Sequence, residues 1–326
     1  MANIAHYSGQ EMRLKENPLV SVVIPMFNAE DWIVGLMHSI LNQSYKNIEV
    51  ILLNDGSTDA SVELVSKAAQ EFGQNRVRII TQNNSGVSAA RNEGVRNSTG
   101  ELIAFVDSDD VWFKQKIEHQ VNAMTRQNLA ASACSYAIFT DSDLEILDVV
   151  HPDWSTNGVR NWLLFRSYGG LLSSTLMLRR EVFYETGPFR LDLSLSADIE
   201  FAWRLLRICS VKLIREPLVG YRLRPNQMHK SSDLLISESN TMLKTVPLLQ
   251  DVKYARIYLA NLYLRLFLYR AQEKDFRNSL HFLQKAIVSN FNEACITSIR
   301  IISKRSKRKF KHIEKKSILL PMEKNK

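Results

Sequence analysis

Four short strand-like runs, three of them largely apolar, alternate with helix-like segments near the start of this chain, and this alternation limits the possible folds more than any other feature. The runs, predicted as buried strands, lie at 19–24, 48–53, 76–81 and 101–106, and the helical patterns lie at 31–43, 60–72 and 88–97. Strands that alternate with helices form parallel sheets with right-handed crossovers. Strands that are apolar throughout are typical of a sheet covered on both faces. The sequence therefore predicts an α/β fold, a mostly parallel sheet flanked by helices, whose first strand ends at Pro25.

The composition is that of a globular protein, and its excess charge lies at one end of the chain. The 326 residues suffice for one large or two modest domains, and 45% hydrophobic with 23% charged residues is ordinary for a protein with a core. The formal net charge is +8, yet the segment 300–316 carries nine Lys or Arg residues against one Glu, which leaves the remainder neutral. Because nucleic-acid binding requires a basic face on the folded domain, we expect no nucleic-acid partner.

Three features of the sequence bear on location. The cysteines Cys134, Cys209 and Cys295 are too far apart for a metal motif or a disulfide framework, which favours a reducing compartment. The first 18 residues are polar and mixed in charge, unlike a signal peptide. No apolar stretch reaches the roughly 18–20 residues of a membrane-spanning helix. Together these features predict a cytoplasmic protein.

Polar clusters follow three of the predicted strands, at 25–28, 54–59 and 107–110. In open α/β sheets, ligands bind at the carboxyl ends of the strands, so these clusters are candidates for one binding site. The acidic cluster Asp107-Ser108-Asp109-Asp110 suits a hard divalent ion whose remaining ligands are substrate phosphates. The alternative is an acidic surface turn, because Asp and Ser are common in turns.

Two further residues have both a structural and a functional interpretation. In the cluster 54–59, Asp55 begins an Asp-Gly turn, and its carboxylate is placed to accept a hydrogen bond from a base or a ribose. The later residues of the cluster cap the next helix. Arg91 lies near the start of the third predicted helix, within reach of a phosphate or a nucleobase. The alternative for Arg91 is an ordinary surface position on an amphipathic helix.

Five segments in this order resemble the nucleotide-sugar-binding half of glycosyltransferase family 2, which has the GT-A fold. They are 22–28, 39–44, 54–59, 90–94 and 105–110, and the resemblance extends over about 19–225. It implies an inverting enzyme that uses a nucleotide-diphosphate sugar, with a UDP-sugar preferred. By this resemblance the donor-binding residues are Pro25, Asp55, Asn83, Arg91, Asp107, Ser108 and Asp109. Asp107 and Asp109 match the Asp-x-Asp pair of the family. By this resemblance Asp109 is the first choice as ligand of Mn²⁺ or Mg²⁺, and Asp107 lies nearer the ribose. Asp110 could share either of these roles, as metal ligand or as ribose contact.

Asp198 opens a predicted helix in the second half of the chain, where it can cap the helix or act as a base. The stretch around it resembles the family segment Glu-Asp that supplies the catalytic base. Asp198 matches the Asp, whereas Ala197 replaces the Glu, which puts a supporting contact to the sugar in doubt. We therefore predict that Asp198 is the base that removes a proton from the acceptor hydroxyl, and capping of the helix by Ser196 or Asp198 is the alternative.

Arg222 and Arg224 lie near the end of a strand predicted at 219–223, or after a strand predicted at 212–214. The segment 221–229 resembles a family stretch that closes over the diphosphate, so either arginine would neutralise the leaving group. His229 in the same segment is a candidate third metal ligand or an ordinary surface residue. Further elements are predicted as helices at 114–127 and 180–186 and as strands at 131–140, 146–150 and 173–178.

The remaining chain is predicted to be helical over 251–289 and to end in the basic tail. The predicted organisation is an N-terminal extension (1–18), a GT-A domain (19–230, with a nucleotide-sugar half at 19–113 and an acceptor half at 114–230), a helical region (231–298) and a basic tail (299–326). The segment 299–316 is either an interfacial helix on an anionic membrane or a solvated tail.

The sequence thus predicts transfer of one sugar to a glycan or lipid-linked glycan in surface polysaccharide biosynthesis, by a cytoplasmic enzyme that is either free or peripheral on the inner face of the membrane. Two alternatives remain. The chain could be a catalytically silent nucleotide-sugar-binding module, which the Ala197 departure favours. A sugar nucleotidyltransferase would also use a nucleotide and a metal, but the first strand is not followed by the Gly-rich, Lys-bearing loop expected of that class.

Overall fold

The computed structural model describes residues 13–71, 76–140, 146–166, 171–224, 232–272 and 275–310, with side chains of the last helix described as far as 297. Within these ranges the chain forms two compact units. The first unit contains the described residues up to 159 and from 171 to 224, and the second contains 160–166 and those from 232 onward. His229, most of the predicted N-terminal extension and the end of the basic tail lie outside the described residues.

The first unit begins with the predicted alternation of strands and helices. Its elements are β1 (Val20–Met26), α1 (Ile33–Leu41), β2 (Ile48–Asn54), α2 (Ser61–Glu71), β3 (Val77–Thr81), α3 (Val87–Arg96) and β4 (Leu102–Phe105). The strands are parallel and lie in the order β3-β2-β1-β4. Every residue of β1 is buried, as expected for a central strand covered on both faces. The predicted α/β fold is therefore confirmed.

The second half of this unit extends the same sheet with mixed strand directions. It contains β5 (Val111–Trp112), α4 (Lys116–Arg126), β6 (Ala131–Thr140), β7 (Ile146–Val150), β8 (Leu176–Arg179), α6 (Arg180–Thr186), α7 (Ala197–Ile208) and β9 (Val211–Leu223). Helix α5 (Thr156–Leu163) begins in this unit, and its residues from 160 onward belong to the second unit. β8 pairs antiparallel with both β4 and β6, and β6 runs parallel to β9. The described strands form one nine-stranded sheet, parallel in its first half and mixed in its second.

Three elements differ from the sequence prediction, each for a local reason. β1 continues through Pro25, which pairs with Leu53 of β2. On its other side β1 pairs with β4 only as far as Val23. Pro25 therefore lacks a strand neighbour on that side, and a proline is tolerated at such a position. The predicted strand at 173–178 begins instead with a 3₁₀ turn at Ser173–Thr175. The two alternative strands after residue 210 are one strand, β9.

The second unit is helical: α8 (Ser232–Thr245), α9 (Pro247–Gln250), α10 (Val252–Gln272) and α11 (Phe276–Phe310). Helical backbone geometry breaks at Asn290 (φ −166°, ψ 99°), whose side-chain oxygen accepts from the Glu293 N–H at 3.0 Å and so caps a new helical segment. Buried polar side chains join the elements of this unit. Glu293 binds Arg166 at 2.7 Å, and Asn261 bonds the Leu164 carbonyl at 2.8 Å. In the described ranges no helix combines the length and the apolar character that crossing a membrane requires.

Candidate active site

The acidic cluster lies at the carboxyl end of β4 and is held in place by Ser174. A turn forms here, with the Asp110 N–H donating to the Asp107 carbonyl at 3.1 Å. The Ser174 hydroxyl accepts from the Asp107 N–H at 3.1 Å and donates to the Asp110 carboxylate, while the Trp112 indole donates to the Ser174 carbonyl at 3.0 Å. The 3₁₀ turn replaces the expected strand because its serine is bonded to the acidic loop. Sequence reasoning missed this contribution, because the partners of Ser174 lie 64 and 67 residues away in the chain.

Arg91 is the centre of the site and is almost completely buried, with 3% exposure. One guanidinium nitrogen lies 2.6 Å from Asp107, and another lies 2.8 Å from Asp198. The guanidinium also packs 5.2 Å from the ring centre of Phe189. Burial by itself would lower the pKa of Arg91, but the charges of Asp107 and Asp198 raise it above its usual value. The cation therefore links β4, α3 and α7 by charge-assisted hydrogen bonds.

Asp198 faces this arginine instead of capping its own helix. Ser196 precedes α7 as the N-cap residue without a side-chain cap bond. One oxygen of Asp198 binds Arg91 and the other accepts from the Ser173 N–H at 3.0 Å. Burial and the charge of Asp107 raise the pKa of Asp198, against the opposing effect of Arg91, and the net direction is upward. Asp198 therefore does not cap α7, which removes the capping alternative for this residue, and its role as base stays a prediction.

A shallow recess borders Asp198. Its walls are apolar and aromatic and come from the chain before α5, from the segment 171–176 that leads into β8, from the loop before α7 and from α7 itself. The lining side chains besides Asp198 are Trp154, Leu171, Leu172, Ser173, Leu176, Phe189 and Phe201. Phe189 stacks on Phe201 with ring centres 4.3 Å apart, which makes this wall rigid. The recess thus gives Asp198, whose side chain retains 19% exposure, a fixed apolar surround.

Two arginines of β9 and the chain directly after it lie against the acidic loop. Arg222 donates to the Asp109 carbonyl at 2.8 Å and packs 4.8 Å from the ring centre of Phe139. Arg224 forms an ion pair with the Asp109 carboxylate and lies 4.2 Å from the ring centre of Trp32. Burial and the charge of Asp107 raise the pKa of Asp109, although Arg224 opposes them. The structure therefore brings together Asp109 and both arginines predicted from the sequence.

Asp55 occupies the end of β2 and holds the loop that precedes α3. Its carboxylate accepts from the Gln82 amide at 2.7 Å, from the Ser85 N–H at 2.8 Å and from the Gly86 N–H at 2.9 Å. Gly86 has a positive φ of 88°, which favours glycine at the turn into the helix. Asp55 is buried by this loop, whereas Asn83 on the same loop is exposed. Pro25 is buried in β1, and Arg91 points to its two carboxylates instead of toward Asn83.

The acidic loop offers hard oxygen ligands of the type that Mg²⁺ and Mn²⁺ prefer. Asp110 is buried with one carboxylate oxygen lacking a hydrogen-bond partner, and burial with the charges of Asp109 and Asp107 raises its pKa well above the usual value. An excess of negative charge of this kind suits a cation. Among the residues described, however, no three His, Cys, Asp or Glu side chains are grouped closely enough to hold a metal ion. The donor set therefore fits a divalent ion only if other oxygen atoms complete its coordination.

This sheet, with its acidic loop after the fourth strand, is of the GT-A glycosyltransferase type. TarS 1–349 from S. aureus, solved with UDP-GlcNAc, aligns with a TM-score of 0.55 at 16% identity, covering 82% of this chain and 90% of that one. The mannosyltransferase PcManGT from Pyrobaculum calidifontis, solved with GDP-Man and Mn²⁺, aligns with a TM-score of 0.54 at 14% identity, covering 92% of this chain and 82% of that one. At such low identity these similarities show the fold alone.

The amino-acid sequence establishes the family. The family model for glycosyl transferase family 2 matches residues 21–187, more than half of the chain, and the protein belongs to this family. An uncharacterized glycosyltransferase of Haemophilus influenzae is 41% identical over 121 residues, which is 37% of this chain and 48% of that protein. TuaG of Bacillus subtilis, provisionally named a teichuronic acid biosynthesis glycosyltransferase, is 34% identical over 135 residues, 41% of this chain and 53% of that protein. Matches to Rickettsia glycosyltransferases cover as little as 16% of the relative.

Proposed function

We propose that this protein is an inverting glycosyltransferase that moves a hexosyl or N-acetylhexosaminyl group from a UDP-sugar to a hydroxyl of a glycan or lipid-linked glycan. The observation that carries the proposal is the Asp107–Arg91–Asp198 bridge, which places a candidate base beside the acidic loop at the strand ends. Family membership supports glycosyl transfer. The nucleotide-sugar complexes of TarS (UDP-GlcNAc) and PcManGT (GDP-Man) support a nucleotide-sugar donor, and the resemblance to the family favours UDP. The provisional name of TuaG supports a role in surface polysaccharide assembly.

Asp198 is the proposed general base. Its carboxylate takes the proton of the acceptor hydroxyl while the acceptor oxygen bonds to the anomeric carbon. The bond from that carbon to the nucleoside diphosphate breaks on the opposite face, which inverts the configuration. Arg91 and the Ser173 N–H hold the carboxylate in one orientation, and the recess beside it is the proposed approach of the acceptor. A positioned base of this kind contributes about 10²–10⁴-fold in rate.

The donor is proposed to lie across the carboxyl ends of β1, β2 and β4. Pro25, Asp55 and Asn83 would border the uracil, with Asp55 acting mainly by fixing the loop 82–86 that forms one wall of the pocket. Asp107 and Ser108 would face the ribose. Arg91 acts in this proposal through Asp107 and Asp198, because both of its bonded nitrogens are directed to those carboxylates.

The leaving diphosphate is the proposed partner of Arg222 and Arg224. Arg224 pairs with Asp109 in the present structure and would exchange this carboxylate for a phosphate oxygen when the donor binds. Asp109, with Asp107 and Asp110, would hold Mn²⁺ or Mg²⁺, for which their oxygen donors fit. A bound divalent ion supplies charge neutralisation of the diphosphate. Diphosphate oxygens would have to complete the coordination, because no three acidic side chains among the described residues are grouped closely enough to hold the ion by themselves.

The first experiment is calorimetric titration of the full chain with UDP, GDP and dTDP, with and without Mn²⁺. We expect UDP to bind selectively and more tightly with Mn²⁺, and Asp109→Ala to remove the metal-dependent part of the affinity. Asp192→Ala is the matched control, because Asp192 is an exposed carboxylate that pairs with Arg190 and has no part in the proposed ligand set. Binding of none of the three nucleotides would refute the donor site, and unchanged affinity in Asp109→Ala would refute the ligand assignment.

The second experiment separates the enzyme from a silent binding module. Asp198→Asn should keep nucleotide binding and lose sugar transfer, or donor hydrolysis if no acceptor is at hand, by roughly 10²–10⁴-fold. Wild-type turnover in Asp198→Asn would refute its role as base. A wild-type protein that binds UDP-sugars but neither transfers nor hydrolyses them would establish the silent module. The proposed location is the cytoplasmic face of a membrane.

A further inference from the structure

Segment 187–198 leads from α6 into α7 and carries Phe189 and, at its end, the proposed base Asp198. Between the two helices it forms neither helix nor strand, so no ladder of backbone hydrogen bonds holds it in place. A reactive group keeps its position only where the residues that support it are themselves fixed by packing and hydrogen bonds. Contacts from other elements must therefore determine where Asp198 lies.

Helix α3 supplies these contacts from one of its sides. Ser88, Arg91 and Asn92 have the i, i+3 and i+4 spacing that brings side chains together on a helix, and all three are buried. On another side of α3, Ala90 packs in the core with two residues of β2. The helix therefore lies between the sheet and the segment 187–198.

Asn92 binds the backbone of the segment at both polar groups of one residue. Its amide nitrogen donates to the Phe189 carbonyl at 2.8 Å, and its amide oxygen accepts from the Phe189 N–H at 2.8 Å. Phe189 is buried, where backbone groups need such partners. One turn earlier on α3, the Ser88 hydroxyl donates to the Leu193 carbonyl at 2.6 Å. Two side chains of α3 thus hold the segment at two points.

Phe189 connects this hold to the proposed base. Its ring stacks on Phe201 of α7 with centres 4.3 Å apart, and the ring centre lies 5.2 Å from the Arg91 guanidinium. That guanidinium binds Asp198 at 2.8 Å. A shift of the Phe189 backbone would therefore disturb both the helix that carries Asp198 and the cation that orients its carboxylate.

We infer that Asn92 is a positioning residue for Asp198 in sugar transfer, supported by Ser88, and that it acts by holding the segment 187–198 against α3. The inference rests on the role proposed for Asp198 as base and gives Asn92 no contact with substrate. The same helix begins at the loop 82–86 that Asp55 fixes as the proposed wall of the donor pocket. One helix thus supports both the donor wall and the base.

The first test is a double-mutant cycle of Asn92→Ala and Asp198→Asn in the full-length protein. Turnover is measured with the UDP-sugar that the wild type accepts, and nucleotide affinity by titration with UDP. We expect Asn92→Ala to keep the UDP affinity and to lower kcat by about 10–10²-fold, because a slightly misplaced base loses much of its effect. In the Asp198→Asn background it should cause no further loss, because the carboxylate through which it acts is gone.

Asn97→Ala is the matched control for this cycle. Asn97 follows the end of α3, and its side chain binds Glu93 of the same helix at 2.9 Å instead of the segment 187–198. Its replacement should leave kcat unchanged. Circular dichroism establishes that each variant is folded.

Hydrogen exchange provides a second test that requires no turnover. The Ser173 N–H donates to the Asp198 carboxylate at 3.0 Å, so protection of this amide reports where the carboxylate lies. We expect Asn92→Ala to accelerate exchange at Ser173 by at least about tenfold. Should Asn92→Ala fail to fold, Ser88→Ala serves the same two tests with a smaller expected effect, since it loses one hydrogen bond to the segment instead of two.

The outcomes separate this inference from the proposed function. Wild-type kcat in Asn92→Ala beside an impaired Asp198→Asn would overturn the inference alone, as would unchanged exchange at Ser173. A loss of kcat that adds in full to the loss in Asp198→Asn would also overturn it, in favour of a general structural role. Wild-type turnover in Asp198→Asn would refute the base itself, and the inference would fall with it.

Discussion

Lys116 is a buried cation that the fold stabilises poorly, and replacing it by methionine should make the protein more stable. It is the first residue of α4, has no measurable exposure, and its ammonium has no hydrogen-bond partner. The nearest compensation is the Trp112 ring, whose centre lies 3.6 Å from Nζ. Burial lowers the pKa of Lys116 from 10.5 to about 7.

The size of the effect follows from this shift in pKa. At about 1.36 kcal/mol per pKa unit, the fall from 10.5 to about 7 corresponds to roughly 5 kcal/mol against the charged form. A desolvated cation–π contact returns about 2 kcal/mol of this. Methionine has a similar length and no charge to desolvate, so Lys116→Met should raise the free energy of unfolding near pH 6 by about 3 kcal/mol.

The gain in the free energy of unfolding from Lys116→Met should decrease as the pH rises. Because the folded-state pKa lies below the unfolded value, the unfolded chain binds more protons between pH 7 and 10.5, and stability of the wild type rises with pH in that window. Below pH 7 the full cost of burying the ammonium is present. The advantage of Lys116→Met should therefore be largest near pH 6 and shrink toward pH 9.

Urea unfolding of the wild type and of Lys116→Met at several pH values between 6 and 9 measures this difference. Lys114→Met is the control, because Lys114 is exposed two residues earlier in the chain and should show no gain at any pH. A Lys116→Met variant that is less stable than the wild type near pH 6, with an unchanged pH slope, would show that the ammonium is favourably solvated in the folded state. Burial of the Lys116 ammonium would then carry no net cost in the folded protein.

Two further predictions concern the site and its supporting core. Arg91→Met leaves two carboxylates without their shared cation, so the free energy of unfolding, measured with urea, should fall by about 3–5 kcal/mol. Arg91→Lys should recover only part of this loss, because a lysine cannot bond both carboxylates in the fork geometry of arginine. A loss below 1 kcal/mol would contradict the bridge. Gly94→Ala places a Cβ 2.3 Å from a Val23 methyl group in the core between α3 and β1, which should lower the melting temperature and cost about 1–3 kcal/mol. Gly86→Ala is the comparison variant: its new Cβ meets no atom within 4 Å, so it reports the strain of a positive φ without a clash. Equal stability of Gly94→Ala and the wild type would mean that the core relaxes freely.

The strand and helix positions of the first half could be predicted because their signals are local. Apolar runs define β1, β2 and β4, and the acidic cluster at 107–110 follows directly after a strand. The misses arise where long-range pairing decides. β5 contains only Val111 and Trp112 and forms because it pairs with Val219 and Gly220 of β9, more than 100 residues away. No window of sequence around residue 111 contains that partner.

The site residues divide in the same way. Asp107, Asp109 and Asp198 could be singled out from their position at strand and helix ends and from resemblance to the family. The partners of Arg91 could not be predicted. The sequence around this arginine is the same whether it binds a phosphate or pairs with two carboxylates, as it does in the structure. Ser174 gives no signal of its own, although it bonds both ends of the acidic loop.

The sequence by itself determined the α/β class, the order of the first elements and the strand ends at which ligands would collect, because periodicity and strand-end polarity are properties of neighbouring residues. Only the tertiary structure decided which charges meet. It paired Arg91 with carboxylates 16 and 107 positions away and enclosed Lys116 in the core despite its place in a polar-looking helix. Charge pairing and desolvation depend on distance in space, and the fold sets that distance.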